Sequence, residues 1–268
     1  MEFTGYLDFW FTDRPLIERV QPFAQLGVKR LDVWCWRLID VAGLAEECKR
    51  HGSILNSTFD HDMGSLADPA DNEKTLRTWA ESLEMAERHQ VEHLFIFSNQ
   101  IDVANDEEWS RRLSGNYSQA IQYANLLDQT EKIMKMVEQT NVEVWVECLN
   151  QNPIQGDILV RDHELAADWV RRINHPQFRL AFDCYHQQRN AGNLIYGMEK
   201  YWGLYPTFHI GDVPTRNEPG TGEINYPNLV KKLKELGYDG LIGMEFRPST
   251  TEAEVFEKMK EMFKELTE

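Results

Sequence analysis

Positive charge is what this chain has least of. Against 44 Asp and Glu stand only 28 Lys and Arg, a formal net charge of −16. Affinity for nucleic acid comes mainly from Lys and Arg neutralising backbone phosphates, so no nucleic-acid partner is expected. Cysteine is also scarce. The four present, Cys35, Cys48, Cys148 and Cys184, form no CxxC pair, which argues against a zinc ribbon or a disulfide scaffold and for reduced core thiols in a cytoplasmic setting. No apolar stretch approaches the roughly 18 residues of a membrane span, and the opening MEFTGYLDFW has neither a basic segment nor a small-residue cleavage site, so no membrane partner is expected. Low-complexity segments and internal repeats longer than a single βα unit are absent.

What the chain does have is a regular alternation. With 268 residues, 42% of them hydrophobic, it is long enough to bury one large core, and a single domain over 1–268 is expected. Short β-rich runs alternate eight times with longer helical stretches, the pattern of a parallel sheet. Strands are expected at 3–10, 30–36, 53–58, 92–98, 142–148, 178–184, 206–211 and 240–246. Helices are expected at 15–26, 40–51, 71–89, 117–140, 161–174, 192–203, 227–236 and 252–267. Gly27, Gly52 and Gly237 each follow a helical run as left-handed C-terminal caps would. Pro15 and Pro227 suit first helical turns, with Asp13 and Asn225 as nearby caps. Helix-to-strand links are short, whereas the strand-to-helix links 59–70, 99–116, 149–160 and 212–225 are long. That asymmetry fits a (β/α)8 TIM barrel, whose strand-to-helix loops build the active face.

Four donor residues end successive apolar runs: Glu147 in VEVWVECLN, Asp183 in FRLAFDCYH, His209 in YPTFHIGD and Glu245 in GLIGMEF. The spacings of 36, 26 and 36 residues each leave room for a loop, a helix and a return, so the four can line one rim. Any single carboxylate there could be a helix cap or an ion-pair partner. Four together point instead to one divalent cation, because buried carboxylates are costly without one. Three carboxylates and one imidazole suit Mn²⁺ or Mg²⁺, with Co²⁺ or Zn²⁺ also compatible.

Three segments carry a resemblance: VECLNQ at 146–151, DCYHQQRNAGNLI at 183–195, and DVPTRNEPGTGEINYPNLVKKLKELGYDGLIGMEFRP at 212–248. The chain resembles the sugar isomerases and epimerases with a xylose-isomerase-like barrel, and within them the hydroxypyruvate isomerases and related 2-oxo-acid isomerases. The resemblance is specific over the C-terminal half and extends to element order alone before residue 140. It implies Glu147, Asp183, His209 and Glu245 as metal ligands, Glu147 and Glu245 as the acid/base pair, and association into homo-oligomers. Hydroxypyruvate isomerases often carry Gln where this chain has His209, and ketose 3-epimerases carry His. Pro153 stands where an epimerase would keep a second acidic residue.

His186, three residues past Asp183, is expected on the loop above the metal, touching substrate or orienting a ligand. Arg216 and Arg247 are either solvated surface residues or the bidentate partners of a substrate carboxylate. Trp10, Trp34 and Trp36 either wall the pocket or belong to the core, the latter being commoner. Asp60, His61 and Asp62 read as a lid or surface cluster in preference to a second metal site, and Asp106, Glu107 and Glu108 as a solvated helix start.

The expected function is a divalent-metal-dependent isomerase that interconverts aldehyde and ketone forms of a small hydroxypyruvate-like acid through an enediolate. A ketose 3-epimerase is the alternative. A keto-inositol dehydratase and a metal phosphodiesterase of the abasic-site endonuclease type stand further off, the last needing several metals and a basic face. A barrel that only binds sugar would have no use for a complete ligand set.

Overall fold

The structure is a computed structural model and describes residues 1–102, 110–111, 117–150 and 158–266. Eight parallel strands close into a barrel in the order β1-β10-β9-β8-β7-β4-β3-β2. They are β1 (Glu2–Tyr6), β2 (Arg30–Asp32), β3 (Ile54–Thr58), β4 (His93–Ile96), β7 (Glu143–Val146), β8 (Phe178–Asp183), β9 (Thr207–Ile210) and β10 (Leu241–Met244). Two further strands, β5 (Ile101–Asp102) and β6 (Ser110–Arg111), form an antiparallel pair inside a connection expected to be loop. The barrel strands read as nearly continuous apolar runs, EVWV or TFHI, because a parallel barrel buries both faces of its sheet.

Among the described residues, α-helices occupy α1 (Val20–Leu26), α2 (Val41–Arg50), α3 (Asn72–His89), α4 (Gln119–Val137), α5 (His163–Ile173), α6 (Cys184–Asn190), α7 (Leu194–Lys200), α8 (Tyr226–Leu236) and α9 (Glu252–Phe263). Side chains set their starts: Ser118, Asp162 and Asn225 accept from the Ile121, Leu165 and Asn228 amides. Gly27 at φ 86° and Gly237 at φ 69° end α1 and α8 in the left-handed conformation expected of them.

The chain forms two compact units, Met1–Val33 with Ala42–Asn56 and Ala181–Glu268, and Trp34–Val41 with Ser57–Leu180. In the first, Trp10 is fully buried against Phe23 and Phe246, and Phe182 stacks on Phe208 at 5.1 Å. In the second, Trp169 meets Phe178 edge-on while its indole N–H donates to Thr130 Oγ1 at 3.0 Å. The four cysteines are buried free thiols. No helix among the described residues is long and apolar enough to cross a membrane.

Several elements differ from expectation. The helix expected over 15–26 is a 3₁₀ turn, Leu16–Arg19, leading into α1, and Asp13 does not cap it but pairs with Arg14 at 3.3 Å. The strand expected over 30–36 stops at Asp32, because Cys35 turns left-handed at φ 45° and Trp36–Leu38 form a 3₁₀ turn. Residues 185–190 of α6 were expected as loop and Cys184 as the end of a strand. The helix begins directly at the end of β8 because Asp183 Oδ1 accepts the His186 amide at 2.8 Å and caps it. The acidic run 106–108 and Pro153 lie outside the described residues.

His163 opens α5 completely buried, and desolvation pushes its pKa down to about 3. The native imidazole therefore stays neutral where the unfolded chain, near 6.5, takes up a proton, so stability falls as pH drops from 6.5 towards 3. Replacing it with leucine is expected to flatten that acid limb by about 1.4 kcal/mol per pH unit. Urea midpoints measured from pH 7 to pH 4 check this, parallel slopes for both proteins being the contrary result.

Candidate functional site

Strand register brings the donor residues level. Asp183, the last residue of β8, pairs with His209 of β9, and His209 pairs with Gly243 of β10. Glu245 lies two positions beyond Gly243 and so on the same side of the sheet. Glu147 directly follows β7, its amide donating to the Ile96 carbonyl at 3.3 Å. All four side chains are buried, and each offers a ligand atom within 4.8 Å of the others. Among the described residues this is the group of acidic, His or Cys side chains able to hold a metal ion. Three carboxylates with one imidazole make a hard, oxygen-rich donor set that fits a divalent cation.

Gly243 makes room for this arrangement. A Cβ there would lie 2.5 Å from His209 Cδ2, so any larger residue would push the imidazole out of line. The ring is held on two further sides. Its Nδ1 lies 3.0 Å from Glu245 Oε2 and 3.9 Å from Asp183 Oδ2, and Tyr6 meets it edge-on at 5.5 Å.

Arg216 supplies positive charge from the loop after β9. Its backbone is left-handed at φ 56°. Its Nε donates to the Glu245 carbonyl at 3.1 Å, and its Nη2 lies 2.7 Å from Glu245 Oε1 and 3.5 Å from Asp183 Oδ2. The guanidinium also lies over Tyr185 at 4.8 Å. Burial pushes the Glu245 pKa upward, but the Arg216 charge, followed by the His209 hydrogen bond, more than offsets this and holds it below the usual carboxylate value.

The other residues singled out in the sequence have varied surroundings. His186 is not on a loop: it is buried in the first turn of α6, its ring edge-on to Tyr185 at 5.5 Å. Arg247 is exposed, and its amide donates to the Arg216 carbonyl at 2.9 Å. Trp10 is core, its indole N–H donating to the Met244 carbonyl at 3.3 Å. Trp34 and Trp36 are half-buried, and Trp36 donates to Ser82 Oγ. Asp60 spends both oxygens on protein partners: Oδ1 accepts from Arg37 at 2.8 Å and from the Asp62 amide, and Oδ2 from Ser82 at 3.1 Å. Asp62 pairs with Lys74 at 2.8 Å. These contacts make the 60–62 segment a structural cluster.

Two acidic residues that matter were present in the quoted motif but drew no role from the sequence. Asp212 Oδ1 accepts from the Val213 and Ile224 amides, and Oδ2 from those of Gly220 and Gly222, all between 2.9 and 3.0 Å. This one carboxylate gathers the loop over 212–225 that carries Arg216. Glu218 ties the same loop to the segment after β10, accepting from the Ser249 amide at 2.9 Å and its hydroxyl at 2.6 Å. The signal for both was the density of glycines in NEPGTGE. At Gly222 a Cβ would lie 2.0 Å from the Val213 carbonyl oxygen.

Residues 19–266 match the family described as xylose isomerase-like TIM barrel. A putative hydroxypyruvate isomerase of Drosophila melanogaster is 25% identical over 265 residues, 95% of each chain. A 2-oxo-tetronate isomerase of Cupriavidus necator is 35% identical over 107 residues, 40% of this chain and 41% of that one. Among solved structures, AP endonuclease family 2 from Brucella melitensis superposes with a TM-score of 0.83 at 22% identity, covering 97% of this chain and 98% of that one. At that identity the likeness concerns the fold.

The fit around Gly243 gives a direct test of the donor geometry. Gly243→Ala is expected to weaken Mn²⁺ binding by about 10-fold or more, the scale seen when the groups that orient a ligand are disturbed. Calorimetric titration of the metal, with circular dichroism to confirm an intact barrel, measures it; unchanged affinity would mean that His209 takes no part in holding the ion.

Proposed function

Given that the chain belongs to the xylose isomerase-like TIM-barrel family, we propose that it is a divalent-metal-dependent isomerase that moves a carbonyl group between adjacent carbons of a small hydroxypyruvate-like acid. The observation that carries this reading is the buried group of Glu147, Asp183, His209 and Glu245, with ligand atoms within 4.8 Å, beside a fixed arginine. Relatives named as isomerases of hydroxypyruvate and of 2-oxo-tetronate support a 2-oxo acid as substrate.

The four donors would hold the ion, which when bound supplies Lewis-acid polarisation of the substrate carbonyl. Glu147 and Glu245 serve as the acid/base pair. One carboxylate takes the proton from the hydroxyl-bearing carbon, leaving an enediolate. A proton is returned to the former carbonyl carbon, and the hydroxyl proton passes from one oxygen to the other, so that no atom is gained or lost. Arg216 keeps Glu245 ionised and therefore competent as a base, while His209 fixes its orientation. Arg247, exposed next to Arg216, offers its guanidinium to the substrate carboxylate.

A ketose 3-epimerase is the second reading. It uses the same two glutamates with the proton returned to the opposite face of the same carbon. His209 favours it by resemblance to that group, whereas a pair of arginines beside the donors suits an acid and has no counterpart in a neutral ketose.

Glu147→Gln and Glu245→Gln are each expected to lower kcat by about 10³-fold with the fold intact, within the range of a lost general acid or base. Solvent-deuterium incorporation followed by NMR, with hydroxypyruvate and D-fructose in parallel tubes, reads the step directly. Exchange with hydroxypyruvate supports the acid isomerase; exchange at C3 of the ketose alone overturns it. Arg247→Ala is expected to raise KM for hydroxypyruvate about 10-fold or more with kcat nearly kept, the scale of one charge-assisted hydrogen bond. An equal loss for a neutral ketose would remove Arg247 from carboxylate binding.

A further inference from the structure

Phe9, just beyond β1 and 5% exposed, has a role that neither the family nor the sequence motifs assign. Its ring lies beneath two guanidinium groups at once: Arg216 Cζ is 5.6 Å from the ring centroid and Arg247 Cζ is 5.3 Å. Both distances fall within the range of cation–π attraction. The two arginines come from different segments, the loop after β9 and the turn after β10. They are joined in the backbone by the bond from the Arg247 amide to the Arg216 carbonyl, and Asn217 Nδ2 donates to the Arg247 carbonyl at 2.6 Å.

Two like charges drawn to one ring repel each other, and the attraction of the ring must offset that repulsion. A carboxylate would do so by occupying the guanidinium N–H groups. An aromatic face attracts the cation without using any of them. The consequence differs for the two residues. Arg216 directs its N–H groups to Glu245 and Asp183. Arg247 makes no ion pair among the described residues and is exposed, so its donors are open to solvent while its guanidinium lies over the ring. Phe9 is itself seated against Tyr6 at 6.3 Å, the ring that meets His209 edge-on.

We propose that Phe9 is a positioning residue for substrate specificity: its ring holds Arg216 and Arg247 as a pair beside the metal-ligand group and thereby sets the preference for a carboxylate-bearing substrate over a neutral one. This rests on the isomerase reading above for the identity of the substrate, but not for the binding of a carboxylate.

The test uses the metal-loaded protein and two variants. Phe9→Leu keeps an apolar side chain and removes the π face; Phe9→Tyr restores it. KM and kcat are measured with hydroxypyruvate, and dissociation constants with D-glycerate as an unreactive acid and dihydroxyacetone as a neutral probe. The expected result for Phe9→Leu is a rise of about 5- to 10-fold in hydroxypyruvate KM and in the glycerate dissociation constant, in line with a partly desolvated cation–π contact. Turnover should stay within about 2-fold, dihydroxyacetone binding should not change, and Phe9→Tyr should return the acid affinities to near those of the original protein.

Equal loss for the acid and the neutral probe, or no recovery with tyrosine, overturns the proposal. Should Phe9→Leu fail to fold, mono-, di- and trifluorophenylalanine at position 9 drain the π face without changing its bulk. Acid affinity must then fall stepwise with fluorine number, and a flat series is the overturning result. The two readings fail separately. Phe9-dependent glycerate binding without hydroxypyruvate turnover overturns the isomerase and leaves the arginine pair standing. Turnover with a KM indifferent to position 9 does the reverse, and a protein that binds neither acid overturns both.

Discussion

The confinement of negative charge is the constraint from which the rest of this molecule follows. Three carboxylates and an imidazole lie within 4.8 Å of one another in a buried setting, an arrangement that repels itself unless positive charge is at hand. The protein meets that demand with geometry. Arg216 reaches Glu245 and Asp183 from a loop whose left-handed turn aims it inward, and His209 bridges the same two carboxylates. The loop is in turn organised by Asp212, a buried acid satisfied by four backbone amides and so able to sit near this charge without a counter-ion.

Chemistry and fold meet in the strand register. In a parallel barrel, adjacent strands place their ends at one rim, and a residue's height there is fixed by which neighbours it pairs with. His209 stands level with Asp183 on one side and with Gly243 on the other, so the smallest residue lies beside the imidazole. A shift of one residue in β10 would exchange Gly243 for a bulky neighbour and turn Glu245 to the outer face.

Much of this is legible in the sequence, for identifiable reasons. The barrel was legible because its strands are continuous apolar runs and its long connections all follow strands. Glu147, Asp183, His209 and Glu245 stood out because charged groups at the ends of buried runs are expensive. What is not legible there depends on contacts remote in sequence. Phe9 reads as one more aromatic in LDFWF until two arginines more than 200 residues away are seen over it. Nothing in the sequence marks Asp212, whose role rests on four amide donors that the folded loop brings to it. Helix α6 was missed because its capping residue is also the last residue of a strand, a dual duty that propensity cannot signal.

That dual duty has a consequence for how the protein can change. Asp183 uses one oxygen to start a helix and presents the other to the buried donor group. A substitution that spares the helix must keep an acceptor at this point, and one that spares the donor group must keep a negative charge, so very few side chains satisfy both. Folding and chemistry share a single residue here, and a lineage drifting towards a new activity has more freedom in the loops around position 183 than at the position itself.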